Sequence, residues 1–163
     1  MCWVLLPVLV FMNTRPSLSE IERLPSVNGT EATVYLGKRR AYRVAGLDRD
    51  DMQAYLELIG HDIPQLVRIH DVWTSGNDFV VEMDRLFEPP KDFCDPREVE
   101  AFYDTHLIYI RDIKRYNTTC PMLAKVLGAQ VAVATAIGET ISDAGPHNVM
   151  LDKNGQITVV DPI

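Results

Sequence analysis

Three side chains close to the C-terminal end of this 163-residue sequence have types and spacing that could do chemistry. Asp143 and Asn148 stand five positions apart, and Asp161 follows an Asn154-Gly155 pair and a short apolar run. Two carboxylates and an amide offer hard oxygen donors of the kind magnesium takes. Magnesium also keeps several waters, so two protein groups and phosphate oxygens complete its shell. The bland alternative is a hairpin that closes a small domain, because Asn-Gly favours a type I′ turn. His147 has no cysteine or second histidine at ligand spacing and reads as an ordinary loop histidine.

The rest of the chain must position these residues. Residues 21–44 read as strand, turn, strand, turn, strand, with breaks at 26–29 and 37–38. Asp50 is placed to cap a short helix whose stripe is Met52, Tyr55, Leu56 and Ile59, with Gly60 as its stop. Apolar runs at 66–73 and 79–83, parted by Ser75-Gly76-Asn77, predict a further hairpin.

After Pro89-Pro90 the pattern turns helical. Asp95-Pro96 starts one helix with Val99, Phe102, Tyr103, Leu107, Ile110 and Ile113 on its apolar face. A second helix is expected over 122–140, and strands around 148–151 and 156–160 close the chain. The expected fold class is α+β, in two lobes. Residues 13–88 form a small five-stranded antiparallel sheet with one helix, and residues 89–163 a minimal helical lobe with a hairpin. Residues 1–12 are an apolar segment read as a buried first strand.

A formal charge of −7 argues against general nucleic-acid binding, which needs a basic face. An apolar fraction of 47% supports a real core. The opening segment is too short to span a bilayer, and residues 121–138 carry Lys125 and Gln130, as a core helix can. Cys2, Cys94 and Cys120 form no zinc spacing and no disulfide framework, so a reducing cytoplasm is expected.

With these elements in order, the sequence resembles the protein-kinase-like superfamily, especially phage-encoded serine/threonine kinases. The resemblance runs from about residue 26 onward and is strongest in SDAGPHNVMLDKNGQITVVDP. It is weaker in GTEATVYLG, AYRVAG and NDFVVEMDRL. It implies ATP and Mg2+ as cofactors, a protein substrate or host protein partner, and the cytoplasm of the host. Asp143 would orient or deprotonate the acceptor hydroxyl, while Asn148 and Asp161 would hold the metal. Gly29 would lie in the phosphate-covering turn, Val34 over adenine, and Arg43 at the phosphate-contacting position of the third strand. Glu82 and Asp84 would belong to the linker that presents backbone groups to adenine.

The sequence departs from the family pattern at several points. Arg43 stands where a lysine is usual, and its planar fork is not equivalent to an ammonium. Neither Asp51 nor Glu57 is well placed on the first helix as its acidic partner. Ile141-Ser142 replace the usual His-Arg, and Asp161-Pro162-Ile163 replaces Asp-Phe-Gly, after which the substrate-holding lobe expected by the resemblance does not follow. Two other functions stay open. One is a small-molecule kinase of the aminoglycoside or choline type; the other is a catalytically inactive protein that works by binding.

Overall fold

A computed structural model describes residues 15–29, 31–88, 90, 94–95, 97–98, 118–137 and 149–160. Within them the fold is mixed α+β. Its centre is a five-stranded antiparallel sheet of β1 (Ser26–Asn28), β2 (Ala32–Leu36), β3 (Arg40–Gly46), β4 (Ile69–Ser75) and β5 (Asp78–Asp84), in the order β1-β2-β3-β5-β4. Helix α1 (Leu18–Ile21) precedes the sheet, and α2 (Arg49–Leu58) joins β3 to β4. The long α3 (Pro121–Ile137) is followed by a separate hairpin, β6 (Val149–Leu151) and β7 (Ile157–Val159). The expected strand at 1–12 and the helix body beyond 98 lie outside the described residues.

Strand alternation divides the sheet into two apolar faces. The inner face carries Ala41, Ala45, Phe79, Val81, Met83, Ile69 and Val72, and is covered by Tyr55 and Leu58 of α2, Ala129 and Val133 of α3, and Val159 of β7. The outer face carries Val80 and Trp73, with Ile21 of α1 buried against them. Because both faces are covered, the interior strand β5 reads as an almost unbroken apolar run, with Phe79, Val80 and Val81 all fully buried.

Several expectations needed correction. The first strand is not the stretch before Ser26: that stretch holds α1, and Ser26–Asn28, expected as a turn, is itself β1. The Glu20 carboxylate reaches back to the Ser17 N–H at 2.8 Å and its hydroxyl at 2.7 Å, which nucleates this short helix and keeps Glu20 below its ordinary pKa. The cap of α2 is Asp48 rather than Asp50, its carboxylate accepting the N–H groups of Asp50 and Asp51. The helix ends at Leu58, and Gly60, just beyond its Ile59 cap, takes a φ of 84° that favours glycine. Its buried side is Tyr55 and Leu58, whereas Leu56 and Ile59 of the expected stripe face solvent. The hairpin of β4 and β5 turns at Gly76-Asn77, with Gly76 at φ 65°, as expected.

Helix α3 is a core helix: Leu123, Val126, Leu127, Ala129, Gln130, Val133 and Ala134 are buried. Among the described residues no helix is long and apolar enough to cross a membrane. Cys94 and Cys120 are bonded as a disulfide, which corrects the expectation of unpaired cysteines and removes its support for a reducing compartment. Nearby, Glu98 gathers the donors at the start of α3. Its carboxylate accepts the Thr118 hydroxyl at 2.6 Å, the Cys120 N–H at 3.2 Å, and the Thr119 hydroxyl.

Those hydroxyl donors, Thr118 first, hold the Glu98 pKa below its ordinary 4.5. A carboxylate depressed in the folded state stabilises the fold fully above its unfolded pKa. That contribution is lost as pH falls through the lower folded value. Thermal melts of the native protein and Glu98→Gln should therefore differ most above pH 4.5 and converge in stronger acid. A constant gap across that range would show that Glu98 acts without its charge.

Candidate functional site

The register of the sheet gathers the chemically informative residues of its inner face. Val34 on β2 pairs with Arg43 on β3, which pairs in turn with Val81 on β5, and Val81 pairs with Val72 on β4. Directly opposed residues share a face, so this row sets one arginine among three valines. The next row holds Leu36, Ala41, Met83 and Ile69. Val34 and Leu36 are only partly buried and pack against the main core.

The Arg43 guanidinium lies over two rings. Its carbon is 5.2 Å from the centroid of Tyr55 on α2 and 5.8 Å from that of Phe79 on β5. The rings themselves are 6.3 Å apart and inclined at 43°. Nη1 of Arg43 is buried without a hydrogen-bond partner. No carboxylate among the described residues forms an ion pair with it. Glu57 is exposed and accepts instead from the Gln53 amide at 3.1 Å, and Asp51 is exposed in the first turn of α2.

The β6–β7 hairpin is fastened to the sheet unit at two places. Leu151 and Phe87 exchange both backbone hydrogen bonds at 2.8 Å. On the other strand, Val159 donates to the Gln65 carbonyl at 2.7 Å and accepts from the Val67 N–H at 2.9 Å. Met150, Ile157 and Val160 consequently pack into the same core as Val34 and Leu36. The turn is longer than the expected two-residue type I′. Asp152 and Gln156 close it, and Gly155 takes φ 77°. The Asp152 carboxylate accepts the N–H groups of Asn154 and Gln156, each at 2.8 Å, and these donors, Gln156 first, lower its pKa.

Glu82 and Asp84 do not join Val34 and Arg43. They lie within β5, their residues paired to β3, and their side chains are on the outer face. There Arg40 bridges them, Nε to Glu82 at 3.2 Å and Nη1 to Asp84 at 2.8 Å, while His70 Nε2 meets Asp84 at 2.7 Å. Burial, and then the Glu82 charge, pushes the Tyr42 phenol on the same face upward. Gly29 lies just after β1, its N–H bonded to the Ala32 carbonyl at 2.8 Å. A Cβ there would come 3.1 Å from that carbonyl oxygen, so the tight turn favours glycine.

Asp143, Asn148 and Asp161 lie outside the described residues. Among those described, no group of three or more histidine, cysteine, aspartate or glutamate side chains could hold a metal ion. Sequence reasoning missed Tyr55 and Phe79 as neighbours of Arg43. No local signal could have found them, because only the register of β3 with β5 and the docking of α2 bring the rings beside the guanidinium. No protein-family model matches the sequence, and no curated protein matches it.

Proposed function

We propose that the chain is an ATP- and magnesium-dependent phosphotransferase of protein-kinase-like, two-lobe type, acting on a Ser/Thr hydroxyl of a protein. The observation that carries this reading is Arg43. It is a partly buried cation whose buried Nη1 donor is unbonded, in register with half-buried Val34, on the sheet face that shares its core with the β6–β7 hairpin. A partly buried guanidinium with a free donor suits a phosphate oxygen, because charge-assisted hydrogen bonds are the strong ones. Val34, Met150 and Val160 are partly buried apolar groups of that same core, the surface chemistry a flat base requires.

The sheet order, with a helix between β3 and β4, supports the reading further. In it, Arg43 steadies the phosphates and Gly29 lets the β1–β2 turn approach them. Asp143 holds the acceptor hydroxyl in line with the phosphorus and accepts its proton. Asn148 and Asp161 have the oxygen donors suited to magnesium, which when bound neutralises phosphate charge. Glu82 and Asp84 serve the sheet rather than the nucleotide, and backbone groups after β5 are the better candidates to meet a base.

The test is thermal stabilisation by ATP, with and without magnesium, in the native protein and in Asp161→Ala. ATP at about 100 times its dissociation constant adds about 2.7 kcal/mol. In a chain of this size that raises the melting midpoint by roughly 5–10 °C. The magnesium-dependent part should vanish in Asp161→Ala. The absence of any shift would sink the enzyme reading. It would leave the catalytically silent binding protein, which is favoured by one observation: no carboxylate of α2 engages Arg43.

A further inference from the structure

We propose that Tyr55 and Phe79 form an uncharged cradle that positions the Arg43 guanidinium to receive a phosphate-class anion. The proposal rests on the nucleotide reading only for the natural identity of that anion. A guanidinium on a strand has long, flexible side-chain torsions and must be held before it can bind with orientation. The usual means is a carboxylate, which also cancels most of the charge that an incoming anion would feel. Here both supports are ring faces, at 5.2 Å and 5.8 Å, one from α2 and one from β5. They attract the cation through the ring quadrupole and leave its net charge intact.

Two further features fit this role. The rings come from different elements, so the guanidinium is fixed only while α2 is docked on the sheet; Tyr55 itself is almost fully buried there. Nη1 is also buried with its hydrogen-bonding capacity unused, a state that is unfavourable until an acceptor arrives. Arg43 therefore has position, charge and a free donor at once. Tyr55 is a positioning residue, acting through Arg43 by way of its ring face.

The experiment uses the full chain and inorganic pyrophosphate as probe. In the native protein the Arg43 Nε–Hε resonance should be shifted by the ring currents and should move on titration with pyrophosphate. Tyr55→Phe keeps the face and should bind within about twofold of native, whereas Tyr55→Leu should lose the ring-current shift and bind about 5–30-fold more weakly. Amide resonances of Trp73 and Val80 on the outer face should stay in place in both variants. If Tyr55→Leu does not fold, Tyr55→Met, which is closer in volume, carries the same comparison.

An Arg43 resonance indifferent to pyrophosphate in the native protein overturns the proposal. So does Tyr55→Phe behaving like Tyr55→Leu, or a loss of affinity accompanied by general spectral change. If this pattern holds but ATP binds no more tightly than pyrophosphate, the nucleotide reading fails and the cradle stands.

Discussion

Replacing Phe79 by alanine is expected to remove about 3–5 kcal/mol of stability, the range for deleting a fully buried aromatic side chain. Phe79 is 0% exposed on β5, an interior strand of the sheet, in the core that α2, α3 and β7 share. Its ring also meets Tyr55 and the Arg43 guanidinium. The loss has two parts: the transfer energy of the ring and the void left between sheet and helix, which a strand held on both sides cannot close. In a protein of this size the melting midpoint should fall by roughly 6–20 °C. Val27→Ala is the control. That side chain is 53% exposed, and its removal should change stability by no more than about 0.5 kcal/mol. A Phe79→Ala loss below about 1 kcal/mol would mean that the inner face is not the principal core.

The second large effect is catalytic. If the chain transfers phosphate, Asp143→Ala should lower the turnover number by about 100- to 10,000-fold, the range supplied by a positioned general base. ATP affinity should change little, because Asp143 serves the acceptor and not the nucleotide. Asp161→Ala should do the reverse first, weakening the magnesium-dependent part of binding. Labelled-phosphate transfer to proteins of a cell lysate, measured beside nucleotide affinity, separates the two. Equal loss of affinity in both variants would assign Asp143 to the nucleotide. Undiminished transfer in Asp143→Ala would remove it from the chemistry.

The legible parts of the fold were those in which one local signal is enough. The β4–β5 hairpin announced itself through Gly76 between two apolar runs, and α3 through the length of its apolar pattern. The element α1 is too short for periodicity, although Ser17 and Glu20 have the spacing of a helix-starting pair. All three residues of β1 are exposed, so no alternation betrays a strand. The apolar residues of α2 allowed two faces, and only contact with the sheet chose Tyr55 and Leu58 over Leu56 and Ile59.

Pairings distant in sequence were the least visible. Cys94 and Cys120 are 26 residues apart in sequence and nothing local marks them as partners. For the site, sequence showed that Arg43 was an unusual cation lacking an evident acidic partner. It could not show the rings beside it, since these depend on the register of β3 with β5 and the docking of α2. Glu82 and Asp84 were assigned to a connection because the stretch around them resembles the kinase linker that presents backbone groups to adenine. Pairing with Arg40 across the ladder holds them in the sheet.

The two-point fastening of the β6–β7 hairpin has an evolutionary consequence. Phe87 and Leu151 are hydrogen-bonded neighbours, yet residues 88–150 lie between them. Each doubling of such an intervening length adds only about 0.6 kcal/mol of closure entropy. Closure entropy therefore sets little limit on the length of the intervening chain, whereas α3 within it must be kept, because Ala129 and Val133 cover the inner face of the sheet. The two fastenings and that helix should be inherited together.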